Sequence, residues 1–303
     1  MDKIFLTFGE WKETAETLRL YLQMAGKVKL ERCYPRPEWS HIRMYLTIDG
    51  LSTGIIPGDA SPFSIHYNLR SHQVEFVSGG GSEVIKLVDE LSVQEFYRLF
   101  MDALKKIGSP TAIDTMPQEI AGAIDFTKDD VHYTYNPKAA TQWLENMLFA
   151  YQGLLRFLAP FRGKVNTPAY YFGAMDLSCT VFSGESRPYP KENAVISKYA
   201  FDEALFECGF WPGDPHDQIP SFFALPYPFI SSISPYETDI WPKTAVFDSS
   251  KNEFFLNLKD VFNYPDPFNA VMEFCNSTFK ISQLIHPWDN IDWITRPLGY
   301  PHL

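Results

Sequence analysis

PEWSHIRMYLTIDGLS (residues 37–52) lies over PAYYFGAMDLSCTVFS (residues 168–183) without a gap, and the fold reading grows from that overlay. It pairs Pro37 with Pro168, Trp39 with Tyr170, Met44 with Met175, Leu46 with Leu177 and Ser52 with Ser183. In the first stretch Ile42, Met44, Leu46 and Ile48 alternate with His41, Arg43, Tyr45 and Thr47. That is the period-two pattern of a strand with one buried face. In the second, Met175, Leu177, Cys179 and Val181 alternate with Asp176, Ser178 and Thr180 in the same way.

Both stretches sit in the same order of elements. Upstream of the first, WKETAETLRLYLQMAG places Trp11, Ala15, Leu18, Leu22 and Ala25 on one helical stripe, with Gly26 as its expected stop. Downstream come a hairpin, FSIHYNLRSHQVEFV (63–77), and a helix opened by the capping-box pattern Ser92-Val-Gln-Glu95. Around the second stretch, NPKAATQWLENMLFAYQGLLRFLAP predicts a long central helix, and TAVFDSSKNEFFLNL (244–258) a hairpin. Asp266-Pro267 opens a last helix, with Val271, Cys275, Phe279 and Ser282 inward. The expectation is an α+β protein of two similar helix–strand–hairpin–helix units, each an antiparallel sheet packed against helices. A pseudo-twofold axis would relate them. Residues 1–113 form the first unit, 114–138 a connector and 139–303 the second unit. The second unit carries an insertion over about 185–235.

Composition sets the class. Of 303 residues, 45% are hydrophobic and 21% charged, the profile of a soluble globular chain. No apolar run reaches the roughly 20 residues of a membrane span, and the N-terminus lacks a signal-peptide core. Four scattered cysteines, none in a zinc-type pair, fit buried thiols in a reducing compartment, so a cytoplasmic location is expected. The net charge of −11 comes without a basic stripe, which argues against nucleic acid as a partner.

The stretches Thr14-x-x-Thr17-Leu18 with Gln23, Gly26 and Lys27, Trp39-x-His41, and Gly50-Leu51-Ser52-Thr53 carry a likeness. So do Phe172-Gly173, Asp176-Leu177, Phe182-Ser183-Gly184, Gly209-Phe210-Trp211-Pro212-Gly213 and Tyr227-Pro228. In these, nearly over its whole length, the chain resembles a family of uncharacterised bacterial proteins with a domain of unknown function. The resemblance implies kinship of fold and names no reaction. Ala169 and Glu203 stand where that family's pattern tends to histidine, and Val181 where it tends to arginine. Any chemistry those side chains perform in relatives is therefore in doubt here.

No motif names a reaction, a metal or a cofactor. His216-Asp217 beside Asp214 could offer metal ligands, but an Asx turn explains the same residues. There is no GxSxG elbow, and SGGGS (78–82) lacks the Lys-Ser/Thr of a phosphate loop. Asp176 stands out as a carboxylate in mid-strand with Tyr45 as its counterpart. The leading expectation is a small-molecule binder with a polar and aromatic cleft between the units. Its candidate contacts are Trp39, His41, Arg43, Tyr45, Asp176, Arg187, Trp211 and Tyr227, with the insertion as roof. One alternative is an enzyme using a His41/Asp176 pair in hydrolytic or acid–base chemistry. The other is a non-catalytic interaction protein whose tail, HPWDNIDWITRPLGYPHL, engages a partner or a second copy of the chain.

Overall fold

The computed structural model describes residues 6–191 and 194–299. Helix α1 (Phe8–Arg32) begins at a reciprocal Thr7–Glu10 capping box, in which Thr7 N donates to Glu10 Oε2 at 2.7 Å. It does not stop at Gly26 but runs on to Arg32. Gly26 serves a close approach instead: a Cβ there would lie 2.0 Å from Cδ1 of Phe172. The helix is buried around most of its circumference, and the Tyr21 ring stacks on Phe96 with centroids 3.9 Å apart.

The first sheet is an antiparallel meander of β1 (Tyr45–Thr47), β2 (Gly50–Ser52), β3 (Phe63–Asn68), β4 (Gln73–Ser78) and β5 (Gly81–Lys86). β3 and β4 make the hairpin expected over 63–77, with Phe63, Ile65 and Tyr67 inward. Against this face lies α2 (Val93–Lys106), which contributes Val93, Phe96, Phe100 and Leu104. Ser92 Oγ accepts from Glu95 N at 3.2 Å, but the Glu95 side chain turns to Arg98, so only half the capping box forms. The SGGGS run makes the β4–β5 turn and starts a strand that the sequence reading left out.

Residues 41–48 depart from the expected alternation. Only 45–47 are strand, Ile48 is 76% exposed, and His41 and Arg43 are buried. Their burial joins pieces of backbone: Arg43 donates to the carbonyls of Ser40 and Thr167, each at 3.2 Å. Lys29 Nζ donates to the carbonyls of Arg43 and Thr53. A polar side chain that satisfies backbone acceptors is as well placed inside as an apolar one.

The segment before the next helix has no regular structure yet is packed, burying Ile113, Phe126, Asp129 and Tyr135. Asn136 then caps α3 (Pro137–Leu158), with Pro137 in the first turn. The second sheet holds β6 (Val165–Tyr171), β7 (Asp176–Ser186), β8 (Glu203–Trp211), β9 (Ser221–Tyr227), β10 (Val246–Asp248) and β11 (Glu253–Asn257). Its strand order is β10-β11-β9-β8-β7-β6, antiparallel throughout. A short helix α4 (Val195–Ala200) lies between β7 and β8. After β11 come α5 (Leu258–Val261), α6 (Pro267–Ile285) and α7 (Ile291–Ile294). One sheet face, with Leu177, Cys179, Phe206, Cys208 and Phe222, forms the core beneath α3 and α6.

Two expectations need correction. The segment read as an insertion is only partly a roof: β8 and β9, which lie within it, fill the middle of the second sheet, between β7 and β11. Their buried apolar residues face both ways, so they could not stand as surface structure. The overlay of 37–52 on 168–183 also matches unlike elements. Pro37–Trp39 is a 3-10 turn, whereas Pro168 and Tyr170 lie in β6, so the residue pairing lends no support to a pseudo-twofold axis. What recurs is coarser: a helix, an antiparallel meander and a closing helix, the α+β layering expected. An antiparallel bridge between Met44 and Tyr170, with hydrogen bonds of 2.9 and 2.8 Å, joins the two sheets edge to edge.

Candidate functional site

The other face of the second sheet faces a cavity rather than helices. Strand register sets what it presents. Thr180 pairs with Glu207 on one side and Asn166 on the other, while Tyr171 lies beside Asp176. Side chains at every second position share a face, so Asn166, Tyr171, Asp176, Ser178, Thr180, Phe182, Leu205 and Glu207 all project the same way. The opposite wall is the turn Pro37–Trp39 with Leu30 at the end of α1, and α4 with Phe201 covers it. The space is about 290 Å³ and partly open to solvent, at the small end of the usual range for ligand pockets.

Its chemistry is acidic and aromatic. Glu38, Glu119, Asp176 and Glu207 line it beside Trp39, Tyr171, Phe172, Phe182 and Phe201. Burial pushes the Asp176 carboxyl up to about 8, with the neighbouring Glu207 adding to the effect. Burial raises Glu207 as well, and it raises Glu253, further along the same face, to about 7 with help from Glu207. Among the described residues neither Asp176 nor Glu207 has a cationic partner. Each is therefore held toward its protonated form.

Glu38 is handled differently. Burial raises it, but Lys164 opposes the shift by hydrogen-bonding Glu38 Oε1, and also bonds Glu203 Oε2 at 2.8 Å. Its second oxygen, Oε2, and the carboxamide nitrogen of Asn166 are buried with no hydrogen-bond partner. Glu38 and Trp39 adopt left-handed backbone at φ of 50° and 54°. Two consecutive non-glycine residues in that region carry strain, a state concentrated at functional sites. The strained pair places Glu38 in the wall and lets Trp39 Nε1 donate to the carbonyl of Ile196 in α4, at 3.0 Å.

The sequence candidates scatter around this space. Trp39 and Asp176 line it together. His41 does not: its ring lies against Trp39 at 5.9 Å, its Nδ1 accepts from Arg36 N, and burial lowers its pKa. A His41/Asp176 catalytic pair is thus not assembled in this cavity. Arg43 is engaged with carbonyls, as described. Tyr45 is 38% exposed, with the Lys29 ammonium over its ring. Arg187 is a surface residue paired with Glu185. Tyr227 stands beside the wall on the same sheet face, next to Leu205 and Phe182 and against Phe201, without lining the cavity itself.

Trp211 lines a second cavity of about 600 Å³. That cavity shares Glu119 and Ala174 with the first, so Asp176 and Trp211 lie in neighbouring spaces. Beyond Trp211, Asp214 Oδ1 accepts from His216 N at 2.6 Å and Asp217 N at 2.8 Å, the Asx-turn geometry. The described part of the tail packs onto its own core: Trp288 is buried against Phe279 and Ile294 is buried. Residues 300–303 of that tail lie outside the described residues.

Glu38, Asn166 and Glu207 escaped sequence reading. A lone glutamate inside the apolar run ALFECGFW was the available signal for Glu207. Of the family departures, Ala169 lies beside Ser178 on the cavity face, and Glu203 accepts from Gly184 N and Lys164 near its rim.

Among the described residues no helix is long and apolar enough to cross a membrane. No curated protein and no solved structure matches the chain. The pattern that defines DUF5996, described as a family of unknown function, matches residues 5–293, and the chain belongs to that family.

Proposed function

We propose that the chain binds a small organic molecule in the cavity between the Pro37–Trp39 turn and the second sheet. The observation that carries this is an aromatic cavity whose wall holds buried carboxylates that have no cationic partner among the described residues. A purely structural core would not retain them, because burying an uncompensated acid costs stability. The strained Glu38–Trp39 pair supports the same site. A reducing, cytoplasmic setting fits the four free thiols.

The test is native mass spectrometry of protein from its own host, joined to a thermal-shift screen of a metabolite library. A retained mass, or a stabilising hit, should disappear in Ala200→Trp, which fills the space from the exposed helix α4. Circular dichroism checks that this variant keeps its fold. No retained mass and no hit of any chemical class would refute the proposal.

A further inference from the structure

Resting on the binding reading above, we propose that the occupant is an organic cation: an amine on a small apolar or aromatic body. Among the described residues every charged side chain lining the cavity is acidic, and no Lys, Arg or His contributes to its wall. Two cations stand just outside the lining, both engaged: Lys164 by Glu38 and Glu203, with its ammonium 4.1 Å from the Phe182 ring centroid, and Arg19 by the backbone carbonyls of Gly173 and Glu119. Asp176 is nine-tenths buried and still has no cationic partner among the described residues. A buried acid in that position holds either a proton or a cation.

The wall suits the second choice. An ammonium has three donors and no acceptor, which matches converging carboxylates from β7, β8 and the Pro37–Trp39 turn. Trp39, Phe172, Phe182 and Phe201 offer aromatic faces for the cation and for an apolar body. At about 290 Å³ the space suits one ring with a short chain. A carboxylate or phosphate ligand would meet like charge on several sides.

A matched set of phenethylamine, 2-phenylethanol and phenylacetate separates charge from shape. Isothermal titration of the full chain at low salt should find the amine at least tenfold tighter than the alcohol, with the acid unbound. The Asp176→Asn/Glu207→Gln double variant should lose at least tenfold for the amine and much less than that for the alcohol. Ala200→Trp should lose both. Equal or tighter binding of the alcohol or the acid overturns the cation and leaves the binding site standing. Amine binding that survives either variant places the cation elsewhere and overturns the proposal. No binding of any of the three overturns it too, while a retained neutral mass from the host protein would preserve the cavity as a binding site.

Discussion

Replacing Asp176 by asparagine should make the protein more stable at neutral pH and flatten the dependence of its stability on pH. The folded state holds this carboxyl protonated up to about 8, whereas the unfolded chain releases the proton near its ordinary value of 3.8. Between those limits the folded state binds more protons, so stability is greatest at the acid end and falls as pH rises. Each pH unit in that window costs about 1.4 kcal/mol for one such carboxyl. For a chain of 303 residues the unfolding entropy is about 0.6 kcal/mol per degree, so one unit lowers Tm by about 2 °C. From pH 5 to pH 8 the wild type should lose about 6 °C on account of Asp176 alone. Glu207 and Glu253 work in the same direction, and His41, lowered by burial, works in the opposite one. Comparison with Asp176→Asn cancels the His41 contribution. The assay is circular-dichroism melting of both proteins at pH 5, 6, 7 and 8, free of ligand. The variant's advantage should grow with each step. Parallel curves, or a wild type less stable at pH 5 than at pH 8 with the same slope in the variant, would refute the reasoning.

Two further outcomes follow from packing and pairing. Gly26→Ala gains about 1 kcal/mol of helix propensity but drives a Cβ to 2.0 Å from the buried Phe172 ring, an overpacking that costs about 1–3 kcal/mol. A Tm loss of about 2 °C is expected by differential scanning calorimetry; a gain would show that the ring moves freely. Lys164→Met leaves Glu38 and Glu203 without their shared cation, a loss of about 3 kcal/mol given the partial exposure of Lys164. Urea unfolding should show a smaller loss at pH 5 than at pH 8, because at low pH Glu38 takes up a proton instead; equal losses would count against the pairing.

Legibility in the sequence followed the asymmetry of each element's surroundings. Helices α2 and α6 and the hairpins β3–β4 and β10–β11 have one wet and one dry side, so their periods were readable. Strand β9, SFFALPY, is buried at every position, and β8 nearly so; with no alternation to follow, both were absorbed into the expected insertion. The site divides in the same way. Asp176 was conspicuous as an acid in an alternating strand, and Trp39 as an aromatic in a Pro-rich turn. Glu207 hid within an apolar run, and Glu38 looked like an ordinary acid after a proline. His41 and Arg43 misled because alternation cannot distinguish a polar residue facing water from one satisfying carbonyls inside.

The bridge between Met44 and Tyr170 has a consequence for how the chain is made. At about 5–20 residues per second, the ribosome delivers Tyr170 roughly ten seconds after Met44. Until then the rim of the first sheet waits without its neighbour. That rim is β1, a strand of only three residues, too short to recruit another nascent chain efficiently. The brevity that made β1 a poor match to its sequence prediction is thus a safeguard during synthesis, covered once the second half arrives.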